Sequence, residues 1–156
     1  MLRRKWHEGM WIRLGRIPAS LIESLSGKKN IWIHAVSVGE VTTIVDLAKK
    51  LKQEKPTHSI VCSVVTKTGY QVACERLKGL AVVIFAPLDF SFIVRKYLRL
   101  INPSIYISAE TELWPNMFYW LHKRNIPIVI INGRISDKSL GVISGFLFLQ
   151  NPFYPG

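Results

Sequence analysis

The sequence predicts an α/β fold, a Rossmann-like parallel sheet with helices on both faces. Three observations carry this expectation. Five short apolar runs recur along the 156 residues, each followed by a stretch with helical spacing. Strand–helix alternation at that spacing builds βαβ units with right-handed crossovers. The first run, Ile31-Trp32-Ile33-His34-Ala35-Val36, lacks strict alternation, as expected of a strand covered on both faces. Finally, every run opens onto a polar cluster, and in a parallel sheet those clusters share one edge, the edge where ligands of open α/β sheets bind.

The elements follow in order. The opening segment interleaves Arg3, Arg4, Lys5, Arg13 and Arg16 with Leu2, Trp6, Met10, Trp11, Ile12, Leu14 and Ile17, and Pro18 closes it. Leu2, Trp6, Met10 and Leu14 recur every four residues, the spacing of a basic helix able to lie in a membrane interface or pack on its own domain. Residues 24–30 read as a polar connector. A strand over 31–36 leads to a helix over 41–51, with Val41, Ile44, Val45, Ala48 and Leu51 on one face, lysines at its C-terminal end and Pro56 past its stop. The next units are a strand over 59–65 with a helix over 69–77, and a strand over 81–85 with a helix over 90–100. Pro103 precedes the fourth strand, 105–109. The fourth helix starts at Pro115, a favoured first helical position, and ends near Arg124, before a fifth strand over 127–131.

Composition bounds the function. With 49% hydrophobic and 20% charged residues, the chain is globular and long enough for one domain with a core. A formal net charge of +11 implies anionic partners: nucleic acid, anionic lipid or phosphorylated substrates. Cys62 and Cys74 form no CxxC pair, and Cys62 reads as a small buried residue. No apolar run approaches the roughly 18–20 residues that span a bilayer. The absence of GxGxxG after the first strand argues against a nicotinamide or flavin site, and no GxxxxGK[ST] marks a P-loop. No His/Asp/Glu cluster has metal-ligand spacing. The tryptophans at 6, 11, 32, 114 and 120 form no base-stacking series on a sheet face.

The polar clusters supply the candidate site. Ser37-Val38-Gly39-Glu40 reads as a capping box, whose side chains satisfy the free N–H groups of a helix start. The same residues have a functional reading: a carboxylate held ionised at a helix N-terminus, positioned to take a hydroxyl proton, with Gly39 leaving room for a ligand. Thr66-Lys67-Thr68-Gly69 offers two hydroxyls and a glycine at another strand–helix junction; capping by Thr68 is the plainer explanation. Glu110 and Glu112 end the fourth strand. Two nearby carboxylates raise one another's pKa, which suits acid–base work or a grip on sugar hydroxyls, although Glu112 also reads as first-turn decoration of a helix. Arg134, in Asn132-Gly133-Arg134-Ile135-Ser136, supplies a fork for phosphate or carboxylate. His34, inside the first strand, reads as a core histidine.

Read together, His34-Ala35-Val36-Ser37-Val38-Gly39-Glu40, Thr66-x-Thr68-Gly69, Pro87-Leu88-Asp89, Glu110-Thr111-Glu112-Leu113-Trp114-Pro115-Asn116 and Asn132-Gly133-Arg134-Ile135-Ser136 occur in an order that closely resembles the N-terminal domain of bacterial Kdo (3-deoxy-D-manno-octulosonic-acid) transferases. The likeness runs from about Arg13 to Ser144. It implies the N-terminal half of a GT-B glycosyltransferase, moving Kdo from CMP-Kdo to a lipid A precursor in lipopolysaccharide synthesis, with inversion and no metal or cofactor, at the cytoplasmic face of the inner membrane. By this resemblance Glu40 is the base and Glu110 lies at the site; together with Glu110, the residues Ser37, Gly39, Thr66, Thr68, Gly69, Glu112 and Arg134 are expected to receive the acceptor. The expected organisation is a basic membrane-proximal segment over 1–25, an acceptor-binding domain over 26–145 and the start of an interdomain linker over 146–156, with the nucleotide-sugar domain absent. The family's Thr-Pro-Thr-Gly form is Thr66-Lys67-Thr68-Gly69 here. Two rivals remain: a non-catalytic module binding lipid A precursor or membrane, and a nucleic-acid-binding domain suggested by charge alone. Acidic residues at the strand edge argue against nucleic acid.

Overall fold

The five apolar runs form one sheet in the order β3-β2-β1-β4-β5, with every neighbouring pair parallel. The computed structural model of the protein describes residues 9–110, 112 and 114–131. The strands are β1 Lys29–Ala35, β2 His58–Val64, β3 Val82–Phe85, β4 Pro103–Ser108 and β5 Ile128–Ile130. The helices are α1 Ala19–Leu25, α2 Val38–Glu54, α3 Lys67–Arg76, α4 Ser91–Ile101 and α5 Pro115–Lys123. This is the α/β Rossmann-like architecture expected.

Two cores explain why the central strands are apolar throughout. Ile31, Ile33 and Ala35 of β1 pack under Val41, Ile44 and Ala48 of α2 and Ala73 of α3. On the other face Trp32 and Tyr106 pack with Leu25 of α1, Ile93, Val94 and Tyr97 of α4, and Phe118 and Leu121 of α5. Trp32 and Tyr106 meet edge to face at 5.4 Å, a favoured aromatic geometry. The period-two alternation of β1 thus feeds two cores, one from each face.

Element ends differ from expectation where capping overrides periodicity. The second helix begins at Val38 and ends at Glu54, beyond the apolar face on both sides. The third begins at Lys67, two residues before the expected start, because Thr66 and not Thr68 caps it: Thr66 Oγ1 accepts the Gly69 N–H at 3.1 Å. Pro103 is the first residue of β4, a strand position proline tolerates. It follows Asn102, whose left-handed backbone (φ 43°) closes α4. Helix α1 went unpredicted. It starts behind Pro18 and drives Leu25 into the core, where a polar connector had been expected to begin.

The opening segment shows both faces of its pattern from residue 9 onward. Residues 9–13 are helical. Tyr97 Oη donates to the Ile12 carbonyl at 2.6 Å, the Leu88 N–H donates to the Arg13 carbonyl, and Arg13 Nε donates to the Ala86 carbonyl. Met10, Trp11 and Leu14 stay exposed, as do Phe90 and Phe92 at the start of α4, stacked at 6.2 Å. Among the described residues no helix is long and apolar enough to cross a membrane. The expected domain over 26–145 is described only to residue 131, so Arg134 and the expected linker over 146–156 lie outside the described residues.

Candidate functional site

Strand order reverses at β1: the chain moves outward through β2 and β3, then returns to lay β4 on the other side of β1. Such a reversal leaves a crevice at the carboxyl ends of the two central strands. Glu40 follows β1, and Glu110 and Glu112 follow β4, so the acidic residues flank that crevice on one rim. The Ala109 N–H donates to the His34 carbonyl at 2.9 Å and holds the two strand ends together.

Glu40 is the one buried carboxylate among the described residues, 8% exposed. Its Oε2 accepts the Val36 N–H at 2.7 Å and its Oε1 accepts the Ser37 hydroxyl at 3.0 Å. This is half a capping box. The glutamate reaches back to the backbone, but Ser37 does not cap α2 and spends its hydroxyl proton on the carboxylate instead. Two donors occupy two of about four lone-pair positions on a carboxylate, so Glu40 keeps acceptor capacity. A methyl group at Gly39 would meet no atom closer than 3.9 Å, so packing does not require glycine there.

Gly69 is the opposite case. A Cβ there would lie 2.7 Å from Thr66 Oγ1, 2.9 Å from Val64 Cγ1 and 3.2 Å from the Ser37 backbone. Its missing side chain lets the start of α3 close against the turn that holds Glu40, and the Thr66 N–H bonds the Val36 carbonyl at 3.1 Å across the same seam. Gly69→Ala is expected to destabilise the domain by about 1–3 kcal/mol, measured by urea unfolding, because the added carbon crowds two stiff β-branched side chains, one of them committed to the helix cap, with backbone close behind. Thr68 is exposed, and Thr66 is half-buried with its oxygen committed to the cap.

Glu110 and Glu112 are exposed rather than buried. The Glu110 carbonyl accepts from both Ser108 Oγ (2.8 Å) and the Glu112 N–H (2.9 Å), which turns the chain at the rim. The pKa of Glu112 is raised, though not chiefly by Glu110 as the sequence suggested. Partial burial pushes its pKa up first, and the charges of Glu40 and then Glu110 push it further. The Trp114 indole N–H opposes the rise from nearby, although it makes no hydrogen bond of normal length. Glu40 and Glu112 therefore sense each other across the crevice. Among the described residues no three His, Cys, Asp or Glu side chains are grouped to hold a metal ion.

Sequence reasoning missed what lies beneath this rim. His34, Ser63 and Ser108 occupy one register row across β2, β1 and β4, all buried. The available signal was a polar residue one or two steps before the end of each of those apolar strands. It also missed the role of Pro87-Leu88-Asp89. Asp89 Oδ2 and Oδ1 accept the N–H groups of Asn116 (3.0 Å) and Met117 (2.8 Å), while Asn116 Nδ2 donates to the Asp89 carbonyl at 2.7 Å. Asp89 thereby caps α5 from another loop. Cys62 is buried, its thiol pushed up to about 12 by burial, and Cys74 is exposed.

Comparison with known proteins places the chain in a family. The family described as 3-Deoxy-D-manno-octulosonic-acid transferase (kdotransferase) matches residues 8–154. A 3-deoxy-D-manno-octulosonic acid transferase of Haemophilus influenzae is 38% identical over 111 residues, covering 71% of this chain and 26% of the relative. A bifunctional glycosyltransferase/methyltransferase of Fusobacterium nucleatum is 38% identical over 117 residues, covering 74% and 18%. A probable mitochondrial 3-deoxy-D-manno-octulosonic acid transferase of Arabidopsis thaliana is 31% identical over 109 residues, covering 70% and 24%. The chain thus spans roughly a quarter or less of the length of these curated relatives. It belongs to the Kdo transferase family of glycosyltransferases and carries the family's N-terminal domain.

Proposed function

We propose that this domain receives the acceptor in a GT-B transferase that moves Kdo from CMP-Kdo to a lipid A precursor in lipopolysaccharide synthesis. One observation carries the reading: a buried carboxylate, Glu40, held by two donors at the crevice where strand order reverses, its charge raising the pKa of Glu112. Glu40 takes the proton of a sugar hydroxyl, and that oxygen attacks the anomeric carbon of Kdo from the side opposite the leaving group. The bond to CMP breaks and the anomeric centre inverts. The step uses no metal ion; cationic side chains stabilise the departing phosphate. Ser37 holds the base, Gly39 leaves room beside it, and Glu110, Glu112, Thr66 and Thr68 orient the acceptor, with Gly69 shaping the floor and Arg134 pairing with an acceptor anion. The donor is held mainly by a second, nucleotide-sugar domain.

The domain works at the cytoplasmic face of the inner membrane. The exposed apolar residues Met10, Trp11, Leu14, Phe90 and Phe92, beside a basic opening segment, support attachment to an anionic lipid surface. The test is transfer of Kdo from CMP-Kdo to a lipid A precursor by the full-length protein. Transfer is expected; acceptor binding without transfer would favour the non-catalytic module.

A further inference from the structure

The buried row beneath the rim holds an unspent donor. Trp32 Nε1 donates to Ser63 Oγ at 2.8 Å, and an indole N–H can only donate. The Ser63 hydroxyl hydrogen is then available to its other partner, His34 Nδ1, also at 2.8 Å. This assignment makes Nδ1 the acceptor and puts the ring proton on Nε2. Burial keeps the ring neutral, its pKa lowered to about 4. His34 is 4% exposed, and Nε2, on the ring edge away from Ser63, has no hydrogen-bond partner. The Trp114 ring meets His34 edge-on at 5.3 Å between centroids, and its Nε1–H makes no hydrogen bond of normal length, with the Glu112 carboxyl as the acceptor nearby. A buried N–H wholly without an acceptor, as at His34 Nε2, is rare, because it forfeits its solvation unrewarded.

We propose that His34 Nε2–H and Trp114 Nε1–H form a notch for one neutral hydroxyl oxygen, supplied by the bound sugar or by a water in its place. The proposal rests on the acceptor-site reading and gives that site a specificity element. The charges of Glu40, Glu110 and Glu112 bear on the same crevice and repel an anionic oxygen. A hydroxyl fits both sides: its oxygen accepts from the notch, and its hydrogen goes to a rim carboxylate.

The test is the ¹H–¹⁵N correlation of His34 in the full-length protein labelled at histidine nitrogen, with D-glucosamine and inorganic phosphate as probes. The expected result is a proton on Nε2, a signal moved by glucosamine and unmoved by phosphate. Trp114→Phe, which keeps a ring and removes the N–H, is expected to weaken glucosamine binding by about tenfold. A proton on Nδ1, a shift with phosphate alone, or a signal in exchange with water and unmoved by glucosamine would overturn the proposal, the last identifying trapped solvent. These outcomes separate from the function reading. An unmoved signal in an active enzyme removes the notch and leaves Glu40 as base, whereas a moved signal in a protein without Kdo transfer does the reverse.

Discussion

Replacing Glu40 with glutamine is expected to lower Kdo transfer by about 10²–10⁴-fold, in kcat far more than in KM. The substitution keeps size and one acceptor oxygen but removes the basic lone pair. Structure should survive it. Glutamine retains an oxygen for the Val36 N–H or the Ser37 hydroxyl, and the half-satisfied contact costs about 1 kcal/mol. Steady-state kinetics beside a thermal melt checks both parts. A protein that melts normally and transfers at the wild-type rate would remove Glu40 from the chemistry. A protein that loses its fold would show that the carboxylate serves the turn.

Asp89→Ala has the largest expected effect on stability, about 3 kcal/mol. Helix α5 has no cap of its own: Trp114 occupies the N-cap position without a capping side chain, and Pro115 follows. Asp89 supplies both acceptors, at 3.0 and 2.8 Å, so truncation strands two N–H groups at a helix start that favours negative charge. The helix at risk carries Met117, Phe118 and Leu121 into the core. Urea unfolding should show a lower midpoint with little change in slope, and Asp89→Asn, which keeps an acceptor, should lose less. A loss below about 0.5 kcal/mol would mean that water replaces the carboxylate at this helix start.

The fold could be read from sequence because each strand of a doubly covered sheet is apolar along its length and each helix shows one apolar face. Trp32 and Ile33 point to opposite cores, and both are fully buried. Boundaries were less accessible because side chains distant in sequence set them. Thr66 started α3 early, and Asp89 capped α5 from 26 residues before its first residue. Helix α1 was hidden because its apolar Leu21, Ile22 and Leu25 are few and follow a proline. At the site, Glu40 and its strand-end position were visible, but the direction of the Ser37 hydrogen bond was not. A capping box and a carboxylate holding a serine hydroxyl share one sequence pattern and differ only in where the proton points. The His34–Ser63–Ser108 row required the strand register, which periodicity does not supply.

The central claim is that carboxylates from two strand ends share one hollow, with the charge of Glu40 raising the pKa of Glu112. Titration of the Glu112 side-chain carboxyl by ¹³C NMR, in wild type and in Glu40→Gln, tests it most directly. The wild-type carboxyl should titrate above the ordinary range for glutamate. In the variant it should fall part of the way back, because burial remains while the neighbouring charge is gone. An identical midpoint in the two proteins would contradict the shared hollow.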